Sequence, residues 1–270
     1  MMQLIRRFLG MAQEPEVPLA PLDTFTIQFP NKNRSQAVKI PARVNPLSII
    51  HSLGLHAPTP TILISGGAGA MDTASMQASR TTIEDGLARF LNDYQVALVD
   101  GGTTSGVMQL LGVARERRAY KFPLIGVAPD NVVWYPGMER SEQRLADLDA
   151  FHSHFVLTPG NEFGDESNTI FQLSYALCGK GARPRLCIVV NGGQIVKREV
   201  HRMSTAKPRF PILVMEGTGR FADELAIAHQ QKHSADPLIQ AILEEGNLSF
   251  LNINAGAPML HNWLENFFGV

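Results

Sequence analysis

Six short runs of this chain are apolar almost from end to end: "TILI" (61–64), "QVALVD" (95–100), "PLIGVA" (123–128), "HFVLTP" (154–159), "RLCIVVN" (185–191) and "PILVME" (211–216). A strand with one face in water alternates apolar and polar residues, whereas a strand covered on both faces does not need to. Between most of these runs lie segments with helical periodicity, at about 76–92, 105–118, 166–180, 193–202 and 220–232. Strands alternating with helices predict an α/β fold, a parallel sheet with helices on both faces.

The flanking segments are shorter. "FTIQFP" (25–30) and "QAVKIP" (36–41) around "NKNRS" predict an N-terminal β-hairpin. "NPLSIIHSLGL" (45–55) predicts a short helix with Asn45 as its cap and Pro46 at its first position. The tail carries a helical stretch at 236–245, then "LSFLNI" (248–253) and "MLHNWLENFF" (259–268). Pro15, Pro18 and Pro21 mark residues 1–22 as a lead-in expected to be mobile, ahead of a single domain over 23–270. Its apolar start is interrupted by Arg6-Arg7 and is too short for a signal peptide.

The bulk numbers exclude several classes. With 270 residues, 44% of them hydrophobic, the chain can bury a substantial core. A net charge of −1 gives no global field for nucleic acid or an anionic membrane, so anion recognition must be local. Two cysteines, Cys178 and Cys187, read as small buried hydrophobes in a reducing compartment. No apolar stretch approaches the roughly 18 residues that cross a bilayer. A cytoplasmic protein is expected.

The glycines sit where the strands end. Strand 61–64 runs into Ser65-Gly66-Gly67-Ala68-Gly69-Ala70, and strand 95–99 into Asp100-Gly101-Gly102-Thr103-Thr104-Ser105-Gly106. The strand at 154–158 runs into Pro159-Gly160-Asn161-Glu162-Phe163-Gly164, the strand at 185–190 into Asn191-Gly192-Gly193, and the last into Glu216-Gly217-Thr218-Gly219-Arg220. In a parallel sheet these ends share one edge, where ligands bind. A helix follows each loop, with unpaired amides and a dipole that favours negative charge. Thr103, Thr104, Ser105 and Thr218 could add hydroxyl donors. The expectation is a polyphosphate or ribose phosphate held across several loops.

Named motifs narrow this further. There is no G-x-x-x-x-G-K-[ST], which argues against a P-loop nucleotide triphosphatase. "GAGAMD" (67–72) places Asp72 where a dinucleotide fingerprint has its third glycine, which argues against hydride transfer. His152 and His154 sit two apart, yet no carboxylate or Cys cluster nearby completes a metal site, so an ordinary hydrogen-bonding pair is expected. Segment 180–209 carries eight cations and one acid, Glu199, and reads as a solvated face from which an arginine could clamp phosphate. Arg220, at a helix start after Gly217-Thr218-Gly219, is better placed for that role. Arg115, Arg117 and Arg118 end a helix and offset its dipole. Glu166 opens a helix in "TPGNEFGDES" (158–167). It either meets the dipole favourably or serves as a general acid/base or nucleophile.

"TILISGGAGAM", "ALVDGGTTSGVMQLLG", "LDAFHSHFVLTPG" and "PILVMEGTGRFADELA" resemble, in the same order over about residues 25 to 245, the amino-terminal cytosolic region of the melastatin-type TRP channels (TRPM). That region belongs to the SLOG superfamily, LSDAT branch. The resemblance implies a Rossmann-like SLOG fold and recognition of a nucleotide-derived ligand such as ADP-ribose, cyclic ADP-ribose or NAD, in a free-standing prokaryotic-type relative. Enzymatic cousins in the superfamily, the Lonely Guy phosphoribohydrolases, carry P-G-G-x-G-T-x-x-E. Here the nearest match, Pro159 to Glu166, has Asn161 for the second glycine and Asp165 near the threonine position, with altered spacing. The expected protein is a sensor that needs no cofactor or metal and signals through an effector protein or homo-oligomer. Its ligand would lie against Gly66, Gly67, Gly69, Gly101 to Ser105, Gly160, Asn161, Gly192, Gly193 and Glu216 to Arg220. The alternatives are cleavage of an N-glycosidic bond with Glu166 as acid/base, and an interaction module with a vestigial pocket.

Overall fold

Every strand of the central sheet puts successive side chains on opposite faces, and in the middle strands both faces are apolar. In the computed structural model, which describes residues 17–66 and 79–270, Ile62 and Ile64 of one strand face one core while Leu63 faces the other. Leu186 and Ile188 likewise oppose Cys187 and Val189. Two helical layers therefore sandwich one sheet, as the uninterrupted apolar runs require.

The elements run as β1 (Thr24–Gln28), β2 (Arg34–Lys39), α1 (Pro46–Ser52) and β3 (Thr61–Gly66). A helix α2 follows, π-helical over Thr82–Ala88 and α-helical over Arg89–Asp93. Next come β4 (Ala97–Asp100), α3 (Gly106–Arg117), β5 (Leu124–Pro129), the two-residue strands β6 (Val133–Trp134) and β7 (Ala146–Asp147), β8 (His154–Thr158) and α4 (Ser167–Leu177). The chain continues with β9 (Arg185–Val190), α5 (Gln194–Thr205), β10 (Pro211–Glu216), α6 (Arg220–Gln231), α7 (Pro237–Glu245), β11 (Asn247–Asn252) and α8 (Gly256–Phe268).

The nine-stranded sheet has the order β1-β2-β8-β5-β4-β3-β9-β10-β11. All its pairs are parallel except β1 with β2, where Thr24 faces Val38 and Gln28 faces Arg34. From β5 to β11 this is the doubly wound order of a Rossmann-like sheet, which reverses direction between β3 and β9. All six apolar runs are strands, and "LSFLNI" forms most of the parallel edge strand β11. The predicted hairpin does more than precede the sheet, because β2 pairs with β8 and extends it (Val38 opposite Val156).

Local signals set several helix starts. Asn45 Oδ1 accepts the Leu47 amide at 3.0 Å, with Pro46 at the first position of α1. Asp236 Oδ1 accepts the Leu238 and Ile239 amides at the start of α7. The end of the lead-in is tied down: the amides of Ala20 and Leu22 donate to Ser48 Oγ and Ser52 Oγ of α1.

Candidate functional site

The β3/β9 reversal opens a crevice at the carboxyl edge, and a cavity of about 420 Å³ occupies it. Its walls come from β3 (Ile64, Gly66), the β4 loop (Gly101, Thr103), Met108, the β8 loop and start of α4 (Phe163, Glu166, Ile170), the start of α5 (Gly193 to Val196), Glu199 and Arg220. A second cavity, about 300 Å³, adjoins it between α4 and α5 and shares Phe163, Ile170, Ile195 and Glu199.

Of the residues expected at a ligand, Gly66, Gly101, Thr103, Gly193 and Arg220 line the main cavity, and so does Glu166. Gly67 and Gly69 lie outside the described residues. The other loop positions are engaged by the fold itself. Gly102, at φ +66°, is packed so closely that an added Cβ would stand 2.7 Å from the Gly126 Cα and 3.0 Å from the Phe155 ring. Thr104 Oγ1 donates to the Asp147 carbonyl, and Ser105 Oγ pairs with Thr103 Oγ1 at 3.0 Å. Asn161 is bonded to Asn131, and Gly160 is covered by Asp165 and Pro129. Glu216 ends β10 opposite Asn252. Thr218 is fully buried; its hydroxyl accepts the Asn191 amide at 2.8 Å and donates to the Met215 carbonyl at 2.7 Å.

The backbone amides that an anion would need are mostly held by the chain's own side chains. In the β4 loop Asp100 Oδ1 accepts the Gly102 amide at 2.8 Å. In the β8 loop Asp165 Oδ2 accepts the amides of Asn161 and Glu162, and Glu166 Oε2 accepts that of Gly164 at 2.7 Å. Asn191 Oδ1 accepts the Gly192 amide. In the β10 loop Asp223 accepts the amides of Gly217 and Gly219 through its two oxygens, at 2.6 and 3.0 Å. A phosphate at any of these points would compete with an intramolecular acceptor, in most cases a carboxylate of its own sign.

Like α3, α4 and α6, helix α5 starts without a side-chain cap among the described residues; what sets it apart is that its whole first turn lines the cavity beneath an arginine. Gly193, Gln194, Ile195 and Val196 all face the cavity. The Arg220 guanidinium lies over this turn, with Nη2 2.7 Å from where a Gly193 Cβ would stand. Arg220 makes no ion pair among the described residues. Helix-start amides, the positive end of a dipole and a guanidinium without an ion pair among the described residues are groups that can hold an anion.

The opposite wall is acidic. Glu166 is 7% exposed, and burial pushes its carboxyl up to about 7, aided by the charges of Glu199 and Asp165 and resisted by amide hydrogen bonds. Glu199, the lone acid of the basic 180–209 segment, receives hydroxyls on both oxygens, from Ser65 at the end of β3 and Ser167 at the start of α4. Burial raises its pKa as well, against those hydrogen bonds and Arg198. Sequence reasoning treated Glu199 as part of a solvated face. The signal that marks it is its place one helical turn after Ile195, on the side of α5 that faces the cavity.

His152 and His154 separate completely. His152 is buried with each ring nitrogen against a carboxylate, Asp100 at 2.9 Å and Asp149 at 2.8 Å, which leaves neither for a metal. For His154, burial, then the nearby Arg115, pull the pKa down to about 4, and its Nδ1 lies 2.8 Å from Ser153 Oγ. Among the described residues no group of three or more His, Cys, Asp or Glu is placed to hold a metal ion, and no helix is long and apolar enough to cross a membrane.

A family model described as "SLOG in TRPM, prokaryote" matches residues 59–259. Among curated proteins, the chain is 27% identical over 256 residues to transient receptor potential cation channel subfamily M member 6 of Homo sapiens, covering 83% of this chain and 12% of that one. It is 26% identical over 265 residues to transient receptor potential cation channel trpm of Drosophila melanogaster (83% and 13%). It is 25% identical over 233 residues to a transient receptor potential channel of Caenorhabditis elegans (74% and 11%). The chain thus spans about an eighth or less of the length of these relatives.

Proposed function

The chain belongs to the family described as SLOG in TRPM, prokaryote, and on that premise we propose that it is a sensor domain for a nucleotide-derived ligand of the ADP-ribose, cyclic ADP-ribose or NAD kind. The observation that carries the reading is the uncapped start of α5, with Arg220 over it, at the strand-order reversal of the sheet. The ligand's phosphates rest on the Gly193–Val196 turn and on the Arg220 guanidinium, with Gly66, Gly101 and Thr103 as the facing wall. Near-neutral charge supports a small-molecule partner rather than nucleic acid. Output passes to an effector protein or through a homo-oligomer, in a cytoplasmic setting.

A thermal-shift screen with NAD, ADP-ribose and nucleoside monophosphates tests this. A ligand at 100 times its dissociation constant stabilises by about 2.7 kcal/mol, and Arg220→Ala removes most of that gain. No shift with any of the three sinks the reading.

A second reading is favoured by one observation. Glu166, buried in the cavity wall with its carboxyl near 7, suits a general acid in cleavage of an N-glycosidic bond. Incubation with the same nucleotides and chromatography for released base separates the two. Release that disappears in Glu166→Gln replaces the sensor with a hydrolase.

A further inference from the structure

Given the nucleotide reading of this cleft, on which the inference rests, we infer that the ligand carries a cationic nitrogen heterocycle at the end away from its phosphates, seated against Glu199 and Glu166. Helix α5 supplies both ends of the site. Its uncapped first turn faces the anion position, and Glu199 lies five residues beyond Gln194, about 8 Å along the axis. A single sugar linker spans that kind of separation between a phosphate and a ring.

The carboxylate end is rigid. Ser65 and Ser167 fix both oxygens of Glu199 from two different elements, and the Gly164 amide fixes one oxygen of Glu166. Among the described residues, neither glutamate has an ion-paired lysine, arginine or histidine. Burial disfavours the charged form of both carboxyls, Arg198 offsets this only in part at Glu199 and without an ion pair, and a cationic ligand would favour the charged form of both. The rest of the wall suits a flat ring: Phe163, Ile170 and Ile195 are apolar and border both cavities. Phe163 is an aromatic lining residue, a kind of side chain that attracts a cationic ring more than a neutral one. A phosphate at this end would meet Glu199, Glu166 and Asp165 together, which sets the direction in which the ligand lies.

Oxidised NAD, reduced NADH and ADP-ribose share one diphosphate and two riboses and differ at this end: a pyridinium, a neutral dihydropyridine and no ring. Titration calorimetry on the full chain should give oxidised NAD an advantage of about tenfold or more over the other two. In Glu199→Gln the three affinities should converge to within about twofold, with the melting temperature of the unliganded protein reporting that the variant is folded. If Glu199→Gln does not fold, Glu166→Gln serves as the second variant and should also shrink the advantage. Equal affinity for the oxidised and reduced forms overturns the inference and leaves the nucleotide reading standing. So does a preference that survives in the folded glutamine variants. No binding by any of the three overturns the nucleotide reading, and this inference with it.

Discussion

His152 Nε2 lies 2.9 Å from Asp100 Oδ1, and that same oxygen accepts the Gly102 amide at 2.8 Å. The other ring nitrogen meets Asp149 Oδ2 at 2.8 Å, and the Asp149 amide donates to the Gly102 carbonyl. One buried imidazole therefore ties the end of β4 and its glycine loop to the entry of β8.

Burial alone would lower the pKa of His152, but Asp100, then Asp149, outweigh it and push it up to about 9. The ring is an imidazolium at neutral pH and donates to both carboxylates. Replacement by glutamine leaves two buried carboxylates without a counter-charge, and such losses cost about 3–5 kcal/mol. Because the folded-state pKa is raised, this stabilisation is complete below the ordinary value of 6.5 and fades as pH rises through about 9. Urea denaturation of wild type and His152→Gln at pH 6 and pH 10 should show the gap narrowing; an unchanged gap would mean that the ring is neutral.

Glu166 gives the opposite slope. Its folded-state pKa of about 7 lies above the ordinary 4.5, so the native state holds more protons than the unfolded chain between those values. Stability falls as pH rises across that window. Glu166→Gln stays neutral, should flatten the profile, and should be the more stable protein above pH 7, by up to about 3 kcal/mol. Melting temperatures from pH 4 to pH 8 decide this, and parallel curves for the two proteins would refute it.

Asp223 fills the β10 amide nest through both of its oxygens. Asp223→Ala should cost about 1–2 kcal/mol, as loss of a helix cap does, and should leave nucleotide affinity no higher. A gain in affinity would show that the phosphate belongs on the Gly217–Gly219 amides rather than on α5.

Two glycine substitutions should separate binding from folding. Gly193 has an ordinary φ of −125°, and an added methyl would meet only the mobile tip of Arg220, so Gly193→Ala should weaken nucleotide binding with little change in melting temperature. Gly102, at positive φ and against the Gly126 backbone, has no room to give. Gly102→Ala should lower the melting temperature whether or not ligand is present.

The strands were legible because Ile62 to Ile64, Leu186 to Val190 and Ile212 to Met215 are apolar on both faces, a pattern that few other structures tolerate. The glycine loops were legible as one edge for the same reason. Their occupancy was not, since it depends on side chains farther along the chain, such as Asp165 for Asn161 and Asp223 for Gly217. An acid just before or just inside a helix that follows a glycine loop is a local capping signal, and it separates a self-filled nest from an open one. Gly102 was beyond local reach, because its close neighbour Gly126 sits on a different strand. The docking of β2 on β8 and the two-residue pair β6–β7 also depend on long-range pairing that no local pattern encodes.

The loops after β4, β8, β9 and β10 each hold backbone amides with a side chain of their own segment. His152 and the Asn191–Thr218 hydrogen bonds tie these loops to their neighbours, so together they form a frame whose shape does not wait on a ligand. Ligand preference can then be rewritten at the first turn of α5, at Glu199 and at Arg220 while the frame around them stays as it is. A designer wanting a new specificity would vary those few positions and leave the other loops alone.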